Sequence, residues 1–210
     1  MRRVLIGAAL LCAAFVLAPQ AWAEDVFQPP WDRATYPTAT YQAWEFTEGW
    51  NPAEPEVSDN PYGLSLAWIV GGEYGTQEGL EPGDLTTWHI ADPAGGTVTI
   101  HVFNDPNAGV VKEVLVQLTS SKAPDPEIGS NPPGSVTSPS PHHKWGDTNW
   151  YTYNFFFTIP GNPAEETLTF KFPFCTVIDE IVVDTRCVPI PEPGLLALSG
   201  LGALLFFRRK

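Results

Sequence analysis

Basic residues are scarce in this chain. It has 210 residues, with 11 Lys and Arg against 24 Asp and Glu, a formal charge of −13. A surface of that sign repels nucleic acid and anionic membranes, so nucleic acid is not an expected partner. No stretch of the body carries an amphipathic helical period, and 22 Pro with 18 Gly exclude a mainly helical body. The catalytic signatures are also missing. There is no Gly-x-Ser-x-Gly elbow, no His-Glu-x-x-His and no phosphate-binding glycine loop. The expectation is therefore a non-enzymatic protein, although carboxylate pairs of glycosidase type meet only in space and leave no local motif.

What is present begins at the ends. Arg2 and Arg3 precede an uncharged apolar run, 4–17, and Ala21 and Ala23 place small residues at the positions a signal peptidase checks. This predicts a signal peptide over 1–23 and a mature chain starting at Glu24. The run is shorter than the ~20 residues a membrane span needs, which argues against a retained anchor. Cys12 lies inside the run after Leu11, so a lipoprotein site is not expected.

The other end carries Pro191-Glu192-Pro193, an apolar run of 14 residues over 194–207, and a terminal basic cluster, Arg208, Arg209 and Lys210. Basic residues after an apolar run act as a cytoplasmic stop. At 1.5 Å per residue the run covers about 21 Å, short of the ~30 Å hydrocarbon core, which suits a temporary span better than a permanent one. This ordered three-part tail resembles the PEP-CTERM sorting signal of Gram-negative bacteria; an ordinary C-terminal anchor is the alternative. The resemblance covers about 20 residues and concerns sorting, not the body. It implies processing by exosortase, a membrane transpeptidase-like enzyme, after signal peptidase. It also implies transient residence in the inner membrane, then a cell-surface or extracellular-matrix location, with exopolysaccharide as a possible companion.

Between the two ends, 24–190 is the size of one domain. It holds six basic residues against 23 acidic ones, a formal charge of −17. A solvated acidic surface accounts for that charge; so does an affinity for divalent cations. Seven Trp and six Tyr in this body exclude a disordered linker. Cys175 and Cys187 flank a segment that reads as a strand. Eight extended residues span about 26 Å, whereas bridged Cα atoms lie within about 7 Å, so a disulfide between them is not expected.

Strand signals recur at 41–47, 64–70, 85–90, 97–103, 110–119, 150–158, 167–174 and 177–184, separated by Pro, Gly, Asn and Asp. Several alternate cleanly. Val98, Ile100 and Val102 share one face, as do Val114, Val116 and Leu118. Tyr151, Tyr153, Phe155 and Phe157 share another, and so do Leu168, Phe170, Phe172 and Phe174. One apolar face per strand predicts an all-β, antiparallel β-sandwich, jelly-roll-like, with an N-terminal signal helix and a C-terminal transmembrane helix. An immunoglobulin-like sandwich is the alternative, without its Cys-Trp-Cys signature. The expected division is signal peptide 1–23, extended segment 24–40, sandwich 41–187 and sorting tail 188–210. The stretch 120–146, rich in Ser, Pro and Gly, reads as a long functional or mobile loop.

Two groups of residues could bind a ligand. His142, His143, Lys144, Trp145, Asp147 and Trp150 fall within nine residues at the end of the long loop. Indole faces stack on sugar rings and polar neighbours take the hydroxyls, so His142, His143, Trp145 and Trp150 form a candidate glycan site. Otherwise Trp145 anchors the loop and the histidines are solvated. Asp179, Glu180 and Asp184 on the last strand, with Glu45 and Glu48 at the first, could supply oxygens for calcium. Adjacent histidines point apart on an extended chain, and no transition-metal spacing accompanies them. The functional expectation is an exported surface or matrix protein with a structural or adhesive role. A carbohydrate-binding module is the second reading, and a small secreted hydrolase the third.

Overall fold

Alternating apolar residues need a second surface to cover them, and here that surface is another sheet. A computed structural model describes residues 26–47, 50–75, 87–105, 110–125, 127–137, 143–146 and 148–189. Along these run β1 Thr40–Trp44, β2 Val57–Asp59, β3 Leu66–Val70, β4 Gly72–Gly75, β5 Thr87–Ile90, β6 Gly96–Phe103 and β7 Val110–Ser120. They continue with β8 Ile128–Asn131, β9 Ser135–Thr137, β10 His143–Lys144, β11 Tyr151–Pro160, β12 Glu165–Phe172 and β13 Val177–Pro189.

The strands form two antiparallel sheets. The larger has nine strands, with the path β10-β11-β7-β13-β1-β2; β9 pairs with β11, and β5 joins β13 to β4. The smaller has four, in the order β3-β6-β12-β8. Register fixes which side chains meet between them. Gln42, Val183, Val116 and Phe155 lie in one cross-strand row, and Trp44, Ile181, Leu118 and Tyr153 in another. Both rows face the small sheet, whose Val98, Ile100, Leu168, Phe170 and Phe172 complete the core. The alternation read from 97–103, 110–119 and 150–158 therefore selects the buried faces. Phe174 departs from its pattern. Pro173 follows the end of β12, and Phe174 is 44% exposed.

The opposite face of the large sheet is covered by the segment before β1, which sequence alone presents as a loose wrapping. Phe27 exchanges two backbone hydrogen bonds with the side-chain amide of Gln117, at 2.8 and 2.9 Å. Trp31 is buried beside Phe156, ring centroids 6.1 Å apart. Arg186 lies over both Trp31 and Tyr36, at 4.8 Å from each ring, and pairs with Glu113 at 2.6 Å. The large sheet is thus buried on both faces along its centre.

Three expectations are corrected. The jelly-roll-like arrangement of eight strands is replaced by nine and four, because short polar strands carry too little apolar alternation to announce themselves. The 120–146 stretch is the clearest case: it contains β8, β9 and β10, whose described residues are mostly exposed edge positions. The expected signal helix and transmembrane helix are also corrected. The described residues hold one three-residue 3-10 turn, Arg33–Thr35, and no helix long and apolar enough to cross a membrane. The segments 1–23 and 190–210 lie outside the described residues.

Candidate functional site

The two sheets leave two chemically different ends. At the end where β1 finishes, a crossing made by residues 45–47 and 50–56 reaches the small sheet's edge strand β3 and returns to the large sheet at β2. Four contacts hold this crossing. Phe46 is buried and stacks on Trp88. The Asn51 side chain pairs with Ile69 like a strand residue, donating to its carbonyl at 2.9 Å and accepting its N–H at 3.1 Å. Ala53 bridges Ala67 through N–H···O bonds of 2.7 and 3.0 Å. The Glu56 carboxylate accepts the backbone N–H groups of Glu45 and Thr47, at 2.9 and 2.8 Å.

On this pinned crossing, Trp50 is 67% exposed. It walls a groove of about 680 Å³ together with Thr47, Pro52, Glu54, Pro55 and Glu56. The groove thus offers an aromatic face, two prolines, and carboxylate and hydroxyl oxygens. Sequence reasoning did not single out Trp50. The available signal is its setting in Gly49-Trp50-Asn51-Pro52, where turn residues on both sides keep an aromatic off any strand face.

The predicted glycan residues occupy the same end of the large sheet, at its other edge. His143 pairs with Thr152 across β10 and β11, is exposed, and meets Trp145 edge-on at 4.9 Å. The Trp145 indole is half-buried and donates from Nε1 to Thr152 Oγ1 at 2.9 Å, while its backbone N–H bonds to the Trp150 carbonyl. Trp150 is also half-buried. The structure brings His143 and Trp145 together, with Trp145 tying down the hairpin. His142 and Asp147 lie outside the described residues.

The predicted calcium residues do not converge. Asp184 is fully buried on the outward face and is paired with Arg33, through Nε to Oδ1 and through Nη2 to Oδ2 at 2.8 Å. Glu180 accepts from Thr119 Oγ1 at 3.3 Å, and Asp179 sits where the β13–β7 register shifts. The outward-facing Glu180 and Asp184 are four residues apart on one strand, about 13 Å. Among the described residues no three His, Cys, Asp or Glu side chains are grouped as metal ligands. Cys175 is exposed, Cys187 is buried, both are free, and β13 separates them as expected.

The opposite end of the sandwich is polar inside. Lys112 of β7 and Cys187 of β13 are register partners, with Nζ 4.0 Å from Sγ. They continue the inward row of Val114 and Val116, so both point at the small sheet. Facing them are Glu166 of β12 and Asn104, which follows β6, and Asn162 lies between β11 and β12. Lys112, Glu166, Asn104 and Asn162 are all at most 4% exposed. Burial raises the Glu166 carboxyl to about 8, with Lys112 acting in the other direction. Burial lowers the Lys112 ammonium, opposed by Glu166, Cys187 and Asp105. It also raises the Cys187 thiol.

No protein-family model, no curated protein and no solved structure matches this chain. The expected sorting through a PEP-CTERM tail is accordingly corrected, and with it the exported structural or adhesive role, the transient anchoring and the surface or matrix location. That mechanism requires a membrane-crossing helix, and none is found among the described residues. The residues it rested on, Ala21, Ala23, Pro191, Glu192, Pro193, Arg208, Arg209 and Lys210, lie outside them.

Proposed function

We propose that this domain is a non-enzymatic binding module whose Trp50 groove takes the apolar face of a neutral, hydroxyl-rich ring, such as a sugar unit. The observation that carries the reading is an indole left 67% exposed on a crossing otherwise pinned to both sheets. A loop held at Phe46, Asn51, Ala53 and Glu56 loses little further freedom on binding, so a contact with Trp50 is not spent on ordering the chain. Covering one face of the indole removes about half of its wet apolar area, a gain of about 1–2 kcal/mol.

The surrounding oxygens set the ligand's chemistry. Glu54 and Glu56 are acceptors, and an ionised carboxylate has about four lone-pair sites, so Glu56 can hold its two backbone N–H groups and the Thr47 hydroxyl and still accept a ligand hydroxyl. The Thr47 hydroxyl donates to Glu56 Oε1 at 3.1 Å and keeps lone-pair capacity to accept from a ligand hydroxyl. The chain's charge of −13 disfavours an anionic ligand. One stacked ring with a few hydroxyl contacts amounts to a weak site, on the order of millimolar, or about −4 kcal/mol.

The test is a titration of the isotope-labelled protein with a panel of neutral oligosaccharides, following the indole N–H resonances. The Trp50 signal is expected to shift, and Trp50→Ala to abolish saturable binding while Trp145→Ala retains it. Saturable binding that survives Trp50→Ala, or no binding by any member of the panel, removes the proposal.

A further inference from the structure

We propose that the buried polar end of the sandwich is a self-modification site, in which Lys112 Nζ condenses with the side-chain amide of Asn104, assisted by Glu166, to form an intramolecular amide cross-link between the two sheets.

The reactants are in place. Lys112 is 0% exposed, and no carboxylate among the described residues lies within ion-pairing distance of its Nζ, which meets the Cys187 sulfur at 4.0 Å. A lysine buried in this way is costly as an ammonium and is favoured as the free amine, which is the nucleophilic form. Asn104 is 2% exposed on the facing sheet, its Nδ2 donating to Glu166 Oε2 and, at 3.1 Å, to the Pro163 carbonyl. Packed sheets stand about 10 Å apart, a gap that one lysine and one asparagine side chain together cross.

The two oxygens of Glu166 are differently engaged. Oε2 meets the Asn104 nitrogen, whereas Oε1 is buried without a hydrogen-bond partner. The Asn104 carbonyl oxygen is likewise buried and unpartnered. Buried polar atoms without partners are uncommon and call for an explanation. A condensation supplies one. The Lys112 lone pair adds to Asn104 Cγ, and Glu166 accepts an amine proton through Oε1. Protonated Glu166 gives a proton to Nδ2 through Oε2, the Cγ–Nδ2 bond breaks, and ammonia leaves. The new Nζ–Cγ bond is a neutral amide. Nothing is oxidised or reduced, and Glu166 ends as it began. Its raised carboxyl is consistent with a group that holds a proton near neutrality and can pass it on.

Asn162 is the competing amide. Its Oδ1 accepts from the Cys187 thiol at 3.2 Å and its Nδ2 donates to the Asp105 carbonyl at 2.5 Å. Both ends of that side chain are therefore engaged away from Glu166, which selects Asn104.

The test is mass spectrometry of the full chain, purified folded and then denatured. The expected mass is lower, by one ammonia, than that of the same chain with its termini sequenced. Cleavage between Asp105 and Pro106 should leave the two fragments joined through Lys112 and Asn104. Glu166→Gln and Lys112→Met should each restore the unlinked mass, and Lys112→Met, which keeps length and volume without a charge, guards against loss of folding. A wild-type chain that is folded by circular dichroism and carries no ammonia deficit overturns the proposal. A cross-link mapped to Asn162 overturns the assignment to Asn104.

Discussion

Phe46 stacks on Trp88 with ring centroids 4.1 Å apart and planes inclined by 23°. Both rings are fully buried, and Phe46 holds a φ of 55°, a left-handed conformation that a bulky residue seldom adopts. The pair keeps the 45–56 crossing on the large sheet after β1 has ended. Removing the ring leaves a cavity at a strained position. Phe46→Ala is expected to cost about 3–5 kcal/mol, measured by denaturant unfolding, and to weaken ligand binding at Trp50 in the fraction that remains folded.

Asn51 tests the crossing without opening the core. Its side chain makes both hydrogen bonds that a strand residue would make with Ile69. Asn51→Ala leaves the Ile69 N–H and carbonyl without those partners, so a loss of about 1–3 kcal/mol is expected. Amide exchange at Ile69 should accelerate more than at Ile100 in the neighbouring strand.

Asp184 is fully buried in its side chain, and Arg33 reaches it from the segment that covers the outer face. Arg33→Met leaves a buried carboxylate short of its cationic partner. Breaking such a pair from one side costs about 3–5 kcal/mol when both groups are buried. Arg33 is 34% exposed, so the expected loss is nearer 2 kcal/mol. The double variant with Asp184→Asn should recover part of it, and a thermodynamic cycle measures how much.

Gln42 runs the other way. It occupies the inward row between Val183 and the second sheet, is 0% exposed, and neither its Oε1 nor its Nε2 has a hydrogen-bond partner among the described residues. Gln42→Met preserves most of the volume and removes two unsatisfied polar atoms. A gain of about 1–3 kcal/mol in unfolding free energy is expected. A loss in the same measurement contradicts the reading.

Glu166 gives stability a pH dependence. Its folded carboxyl is raised from 4.5 to about 8, by burial first and against the pull of Lys112. Between those values the folded state binds a proton that the unfolded state has released, so this group's contribution is full below 4.5 and is lost as pH rises towards 8. In a chain without the proposed cross-link, Lys112 is lowered by burial and contributes with the opposite slope up to its ordinary value of 10.5. Asp105, Cys187 and Tyr62 complete the neighbouring titratable set. Urea midpoints across the 4.5 to 8 interval, measured in the Lys112→Met background that carries neither the cross-link nor the amine, should fall more steeply with Glu166 than with Glu166→Gln.

The strands that were legible are those whose apolar side chains recur on one face at every second residue. Thr97, Thr99 and His101 alternate with Val98, Ile100 and Val102, and the structure buries the aliphatic set completely. The same logic found the aromatic face of β11 and the valines of β7. It failed for β2, β4, β8, β9 and β10, which are two to four residues long and polar or glycine-rich, because an edge strand is defined by its hydrogen-bonding partner and not by burial. The candidate glycan residues were found as a cluster of types, yet Trp145 proved to be bonded into its own hairpin, and the open groove formed around Trp50 instead.

The sequence by itself determined an acidic, strand-built chain and the inward faces of its long strands, since the two-residue period of a strand ties neighbouring side chains to opposite sides. Even the inward direction of Lys112 follows from its place two residues before Val114. Only the tertiary structure decided what Lys112 would meet. Glu166 and Asn104 reach it from the other sheet, 54 and 8 residues away in the chain, and no local pattern encodes a distance across a sandwich. The same holds for Asp184 and Arg33, and for the pinned crossing that leaves Trp50 exposed. Those contacts depend on how two sheets pack, which is a property of the whole core.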